Sequence, residues 1–314
     1  MPLDENLIQD RIRSCPRLGS LRRINSTFQD LANADQDYTG QIAEIIRRDP
    51  SLTSRLLQMV NSVFYGLREK VSSVEDAVFY LGTKQIREMA LATPVLEDMQ
   101  RFAEHSSNVD WTQFWQQSIG CAIMTRELLS YSDVRSQGDS DYISGLIYGV
   151  GYLVAVAAFP NQMHEVFAAN PDSESGMEAL LIEHIGWTQS QIGGFYLESN
   201  NIPEAIRMPV RFQNEPELAE EHAKSAAALY LAKRMIGELQ QQRSDSSASG
   251  PEEDASVPFP NRSKFRIPMP DAPSWDVCPE FHLLIDAQSQ DHLSTAGSLR
   301  YTLGQLPGVL KGLV

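Results

Sequence analysis

The stretch Ile42–Gly82 reads IAEIIRRDPSLTSRLLQMVNSVFYGLREKVSSVEDAVFYLG. Asp49 is placed to cap a helix whose first turn takes Pro50, because proline lacks only an amide hydrogen that the first turn leaves unpaired. Behind it Leu52, Leu56, Met59, Val60 and Val63 recur at helical spacing. A second helix is announced by Ser72 and Glu75 at capping-box spacing. It carries an apolar stripe of Val74, Ala77, Val78 and Leu81 and stops at Gly82. Between the two lies the corner Asn61-Ser62-Val63-Phe64-Tyr65-Gly66. There Asn61 can satisfy last-turn backbone groups and Gly66 lets the chain reverse.

The same period runs outward in both directions. Helices are expected over 39–48 and 84–100, the latter kinked at Pro94, and from the start signal Asp110/Gln113 through Trp111, Phe114, Trp115, Ile119 and Ala122. Others are expected over 142–159, 162–169, 176–185, 189–198, 203–213 and 217–240. No run alternates with the period of two that a half-buried strand requires. Short connections between amphipathic helices predict an all-α, compact multi-helix bundle. Residues 241–257 are rich in serine and acids, and read as a flexible linker that cannot offset the entropy of ordering. Residues 258–314 begin with six prolines between Pro258 and Pro279, followed by a helix from about Pro279, and form a C-terminal extension of unknown role.

Composition excludes several classes. The 314 residues carry 26 Lys+Arg against 41 Asp+Glu, a net charge of −15, with 42% apolar residues. Residues 1–100 hold 12 basic against 14 acidic side chains, so the acidity is concentrated further along the chain. Such a balance opposes binding to phosphate backbones, and the cluster Arg11, Arg13, Arg17, Arg22 and Arg23 is broken by Pro16 and Gly19 without interleaved aromatics. No nucleic-acid partner is expected. Cys15, Cys121 and Cys278 are widely spaced and form no CxxC pair, which argues against a disulfide framework or zinc knuckle and suits a reducing, cytoplasmic setting. The N-terminus lacks the pattern of a signal peptide. Tyr142–Phe159 is uncharged over 18 residues, but Ser144 and three glycines lower its hydrophobicity; it reads as a fully buried central helix, not a membrane span. The glycines there suit close helix–helix approach.

No phosphate-binding loop, nucleophile elbow, HExxH or calcium loop is present, and Gly149-Val-Gly151 lies in a helix, not after a strand. His105, His164, His184 and His222 have no partner at ligand spacing and read as surface or structural residues. Cys278, His282 and Asp286 are spaced i, i+4, i+8, yet one helix supplies only part of a metal site, and Cys278 precedes Pro279. The stripe residues Met59, Met89, Phe79 and Trp115 are expected in the core.

Asp49-Pro50-x-Leu52-Thr53, Asn61-Ser62-x-Phe64-Tyr65-Gly66, Val71-Ser72-Ser73, Ala77 and Leu81-Gly82 together closely resemble the HDOD family, output domains related to the HD phosphohydrolases. Weaker similarity continues through Phe114-Trp115, Gly145–Gly151 and Ile202-Pro203-Glu204-Ala205-Ile206. The resemblance implies a helical HDOD domain over 15–240, with an N-terminal half of about 15–105 and an HD-like half of about 106–240, behind a short segment 1–14.

The resemblance also says where HD enzymes hold a dinuclear metal centre, which needs imidazole and carboxylate ligands. At those positions this chain has Gln117, Tyr148 and Gly149, Thr188 and Gln189, and Gln213 and Asn214. All are neutral, so neither metal, cofactor nor catalytic residue is expected. These side chains form a polar core or a pocket for a small neutral ligand. The implied function is a non-enzymatic bacterial signal-transduction module that acts by contact with protein partners, the corner Asn61, Phe64, Tyr65 and Gly66 offering a candidate surface. The alternative is an HD-type metal-dependent phosphohydrolase acting on nucleotides.

Overall fold

A computed structural model describes residues 3–16, 70–80, 110–132, 140–171, 173–247, 275–285 and 291–313, with the single positions 53, 57 and 60. The corner Asn61–Gly66, the expected helices 39–48 and 84–100, Met59, Met89, His105 and Asp286 lie outside the described residues. Among the described residues the regular structure is helical throughout, as the periodicity predicts.

The chain divides into two units. One comprises residues 1–16 and 102–303, the other 17–101 and 304–314. In the second unit residues 74–80 are helical, and the cap falls one residue later than the Ser72/Glu75 box: Ser73 Oγ accepts the Asp76 amide hydrogen at 3.0 Å. Val74, Ala77 and Val78 are buried as expected, as is Val71, whereas Phe79, expected in the core, is 82% exposed. Its place on the helix explains this correction, because residue 79 lies about 140° around the axis from Val74, off the 74–77–78 stripe.

The first unit begins with α1 (Glu5–Arg13), capped by Asp4, whose carboxylate accepts from the amides of Asn6 and Leu7. Then comes α2 (Trp111–Ser130), started by Asp110 accepting from the Gln113 amide. The expected single helix over 142–159 is two: α3 (Ser140–Leu146) and α4 (Val150–Ala158), bent by 47° at their junction. By length and composition the pair together resembles a broken membrane span, and no single helix among the described residues is long and apolar enough to cross a membrane. Every residue from Asp141 to Ala155 is buried in this unit.

After α5 (Pro160–Ala168) come α6 (Glu174–His184), α7 (Gln189–Ser199) and α8 (Glu204–Arg211). Thr188 and Gln191 form a complete capping box at the start of α7. A 3₁₀ turn over Pro216–His222 leads into α9 (Ala223–Ser247), which carries on seven residues into the stretch that reads as linker. The 3₁₀ turn Trp275–Val277 and α10 (Pro279–Leu284) pack on α9 through buried Trp275, Phe281 and Leu284. The rings of Trp275 and Phe281 meet edge to face at 5.3 Å. Last comes α11 (Asp291–Leu313).

α2 lies against α3 and α9, and α7 lies against α4 and α8. Two glycines set how closely these helices approach. A Cβ on Gly145 would sit 2.6 Å from the Ala122 backbone of α2, and one on Gly151 only 1.9 Å from the Gln189 carbonyl oxygen at the start of α7. Only hydrogen fits at either place.

Candidate functional site

Where α2, α4, α6, α7 and α9 converge, the core of the first unit turns polar. Lys233 lies on the face of α9 that also presents Ala226, Leu229 and Ile236, all buried. Its side chain is 5% exposed, and its ammonium donates to Glu174 Oε1 at 2.5 Å and to Asn214 Oδ1 at 2.6 Å. Glu174 comes from the first turn of α6 and Asn214 from the link between α8 and the 3₁₀ turn. An isolated charge at this depth would be costly to bury, and the carboxylate beside it supplies the opposite charge.

One turn along α6, Glu178 Oε2 accepts the backbone amide of Gln189 at 2.9 Å, joining α6 to the N-terminus of α7. Burial pushes the Glu178 carboxyl up to about 7; the Gln189 amide and Lys233 pull against that shift, and the Glu174 charge adds to it. Burial also raises the hydroxyls of Tyr148 and Tyr152 and the thiol of Cys121, which is in hydrogen-bond contact with Tyr148. None of these three supplies a charge near neutral pH.

The residues that the sequence comparison placed at HD-like ligand positions divide into those the fold gathers here and those it does not. Tyr148 and Gly149 occupy the bend between α3 and α4, where Gly149 is the N-cap of α4 and contributes no side chain. Gln213 Nε2 donates to the carbonyls of Tyr148 at 3.1 Å and Val210 at 2.8 Å, while its Oε1 makes no hydrogen bond. Gln189 is wholly buried, and neither its Nε2 nor its Oε1 makes one. Asn214 holds Lys233. Gln117 instead donates to Gln240 at 3.0 Å, two turns along α9 from Lys233, and Thr188 is spent on the α7 cap. Cys278 is the buried N-cap of α10 while His282 faces solvent, so the i, i+4 pair of the extension does not converge.

A divalent metal does not fit this cluster. It contains no imidazole, its central place is taken by an ammonium, and Glu174 already neutralises that charge. Among the described residues the one group of three His, Cys, Asp or Glu with converging ligand atoms is Glu204, Glu221 and His222, which lies elsewhere, with Glu204 already paired to Arg207. The sequence reading missed Lys233, Glu174, Glu178, Cys121 and Tyr152. A signal was present for Lys233, a cation at helical spacing from Ala226, Leu229 and Ile236 in SAAALYLAKRMIG.

Comparison with known proteins agrees with this architecture. An HDOD domain protein of unknown function from Geobacter sulfurreducens superposes with a TM-score of 0.65 at 16% identity, over 99% of each chain. A Shewanella amazonensis protein provisionally named a phosphohydrolase gives 0.61 at 20% identity over 98% of each chain. A Marinobacter aquaeolei protein provisionally named for signal transduction gives 0.62 at 19%, over 96% of this chain and 60% of that one. In sequence, an uncharacterized protein of Treponema pallidum is 22% identical over 232 residues, which are 73% of this chain but 43% of that relative. The sequence profile of the HDOD domain matches residues 18–216, and the chain belongs to the HDOD family.

Proposed function

We propose that this chain is a non-enzymatic signal-transduction module that works through contacts with protein partners in a reducing, cytoplasmic compartment. The observation that carries the reading is the Lys233 ammonium, held by Glu174 and by Asn214, one of the residues at the ligand positions of the HD enzymes. A fixed internal cation supplies the positive charge around which the neighbouring oxygens organise. It offers neither an open coordination position nor a water of lowered pKa, the two things metal-assisted hydrolysis needs.

Two further features support the reading. Phe79 and Tyr80 are exposed neighbours with their rings edge to face at 5.7 Å, an aromatic pair of the kind that anchors protein contacts. Cys121 and Cys278 are buried thiols, which suits a reducing setting.

The test is elemental analysis of the purified full chain, together with nucleotide and phosphodiester hydrolysis assays in manganese, iron or magnesium. No stoichiometric metal and no activity above buffer are expected. One or two equivalents of tightly bound metal, with hydrolysis abolished by Asn214→Ala, would replace this reading by that of an HD-type phosphohydrolase acting on nucleotides.

A further inference from the structure

Gln189 is the first residue of α7, and its side chain is wholly enclosed in the core. Neither its Nε2 nor its Oε1 has a hydrogen-bond partner in the protein. Two more enclosed oxygens of the same polar centre, Gln213 Oε1 and Glu178 Oε1, are also left over. Both kinds of group are therefore present, because the Gln189 amide nitrogen carries two donor hydrogens and the three oxygens accept. Complementary as they are, they make no bond with one another.

The fold gives Gln189 little freedom to find a protein partner. Its backbone N–H is held by Glu178 Oε2 at 2.9 Å, and its carbonyl oxygen is pressed against α4, 1.9 Å from where a Cβ on Gly151 would lie. The side-chain oxygen faces the same glycine, 2.8 Å from that Cβ position, and glycine has no side chain to supply a donor. Neighbouring donors are directed elsewhere: Lys233 at Glu174 and Asn214, and Gln213 Nε2 at the carbonyls of Tyr148 and Val210. Tyr152 on α4 brings an enclosed hydroxyl into the electrostatic neighbourhood of Glu178 and Glu174. One hydroxyl donates once, so it cannot serve three oxygens.

The charges around this amide select a neutral occupant. The Lys233 ammonium opposes a further cation, and the carboxylates of Glu174 and Glu178 oppose an anion. A neutral molecule that both donates and accepts, and is small enough for a packed core, is water. Immobilising a water molecule costs less than burying an amide bare. We propose that the Gln189 side-chain amide is a binding site for internal water, which accepts from Nε2 or donates to Oε1 and completes the polar centre between α4, α6 and α7. The inference stands independently of whether the chain is an enzyme.

The experiment is water ¹⁷O relaxation dispersion on the full chain, with wild type beside Gln189→Leu, which removes both polar atoms at similar volume. Wild type should hold at least about one more long-lived water per molecule than the variant. Equal numbers would overturn the proposal. Should the variant fail to fold, a high-resolution crystal structure of wild type decides. A water within about 3.2 Å of Gln189 Nε2 or Oε1 supports the site. Direct pairing of both atoms with protein groups, or an amide with nothing in reach, overturns it, as does density for a larger organic molecule. Crystals grown in rubidium chloride test for a cation: an anomalous peak beside the amide overturns the assignment, and an ordinary water without one supports it.

Discussion

Lys233 reaches from α9 to Asn214 at 2.6 Å and to Glu174 at 2.5 Å, so one ammonium ties α6, the α8–3₁₀ link and α9 together inside the core. Charges held this way are expensive to separate. Lys233→Met is expected to lower unfolding free energy by roughly 3–5 kcal/mol, because Glu174 and Asn214 lose the partner for which they were desolvated. Adding Glu174→Gln should recover part of that loss, since the buried charge is then gone. Urea denaturation of the two variants beside wild type measures both steps.

Glu178 links stability to pH. Its folded pKa of about 7 lies above the ordinary 4.5. The contribution is therefore fully present below the ordinary value and is lost as pH rises through the folded one. Glu178→Gln should match wild type in mild acid and become the more stable of the two above neutrality, by up to roughly 3 kcal/mol. Denaturation midpoints across that range give the difference curve, whose slope should lie between the two pKa values.

Gly151→Ala should be severely destabilising. The added methyl would meet the Gln189 carbonyl oxygen at 1.9 Å, and that atom belongs to backbone at the α7 terminus, not to a side chain free to turn aside. A loss of about 1–3 kcal/mol or more is expected from overpacking. By contrast Gly297→Ala on α11 meets nothing within 4 Å and should be neutral or slightly stabilising. Thermal melts of the pair separate a packing demand from a general dislike of substitution.

Phe281→Ala should cost roughly 3–5 kcal/mol, since the ring is fully buried against Trp275 and α10 packs on α9. Phe79→Ala removes an exposed ring and should leave melting nearly unchanged. Calorimetry on both variants tests whether the C-terminal extension is part of the packed body or an appendage.

The all-α class was legible because apolar spacing, caps and stop glycines agree over long stretches, as at Asp110/Gln113. HDOD membership was legible because motif residues such as Asn61, Phe64 and Gly66 have fixed spacing. That Gln117, Tyr148, Gly149, Thr188, Gln189, Gln213 and Asn214 carry neither imidazole nor carboxylate could also be read directly, since it is a matter of residue identity.

Which side chains meet was decided by tertiary structure. Gln117 and Thr188 stand at the expected places in the chain, yet helix packing turns one toward Gln240 and commits the other to a cap. The uncharged run from Tyr142 to Phe159 carries no residue that forces a break, and the 47° bend after Leu146 arises where α3 and α4 pack against different helices. Lys233 and Glu174 lie 59 residues apart. Periodicity reaches only a few turns along the chain, so it places Lys233 on a helical face but carries no information about a carboxylate on a distant helix. The desolvation and Coulomb attraction that make this pair, and the burial that moves Glu178 toward neutrality, depend on three-dimensional distance and exist only once the helices have closed over these groups.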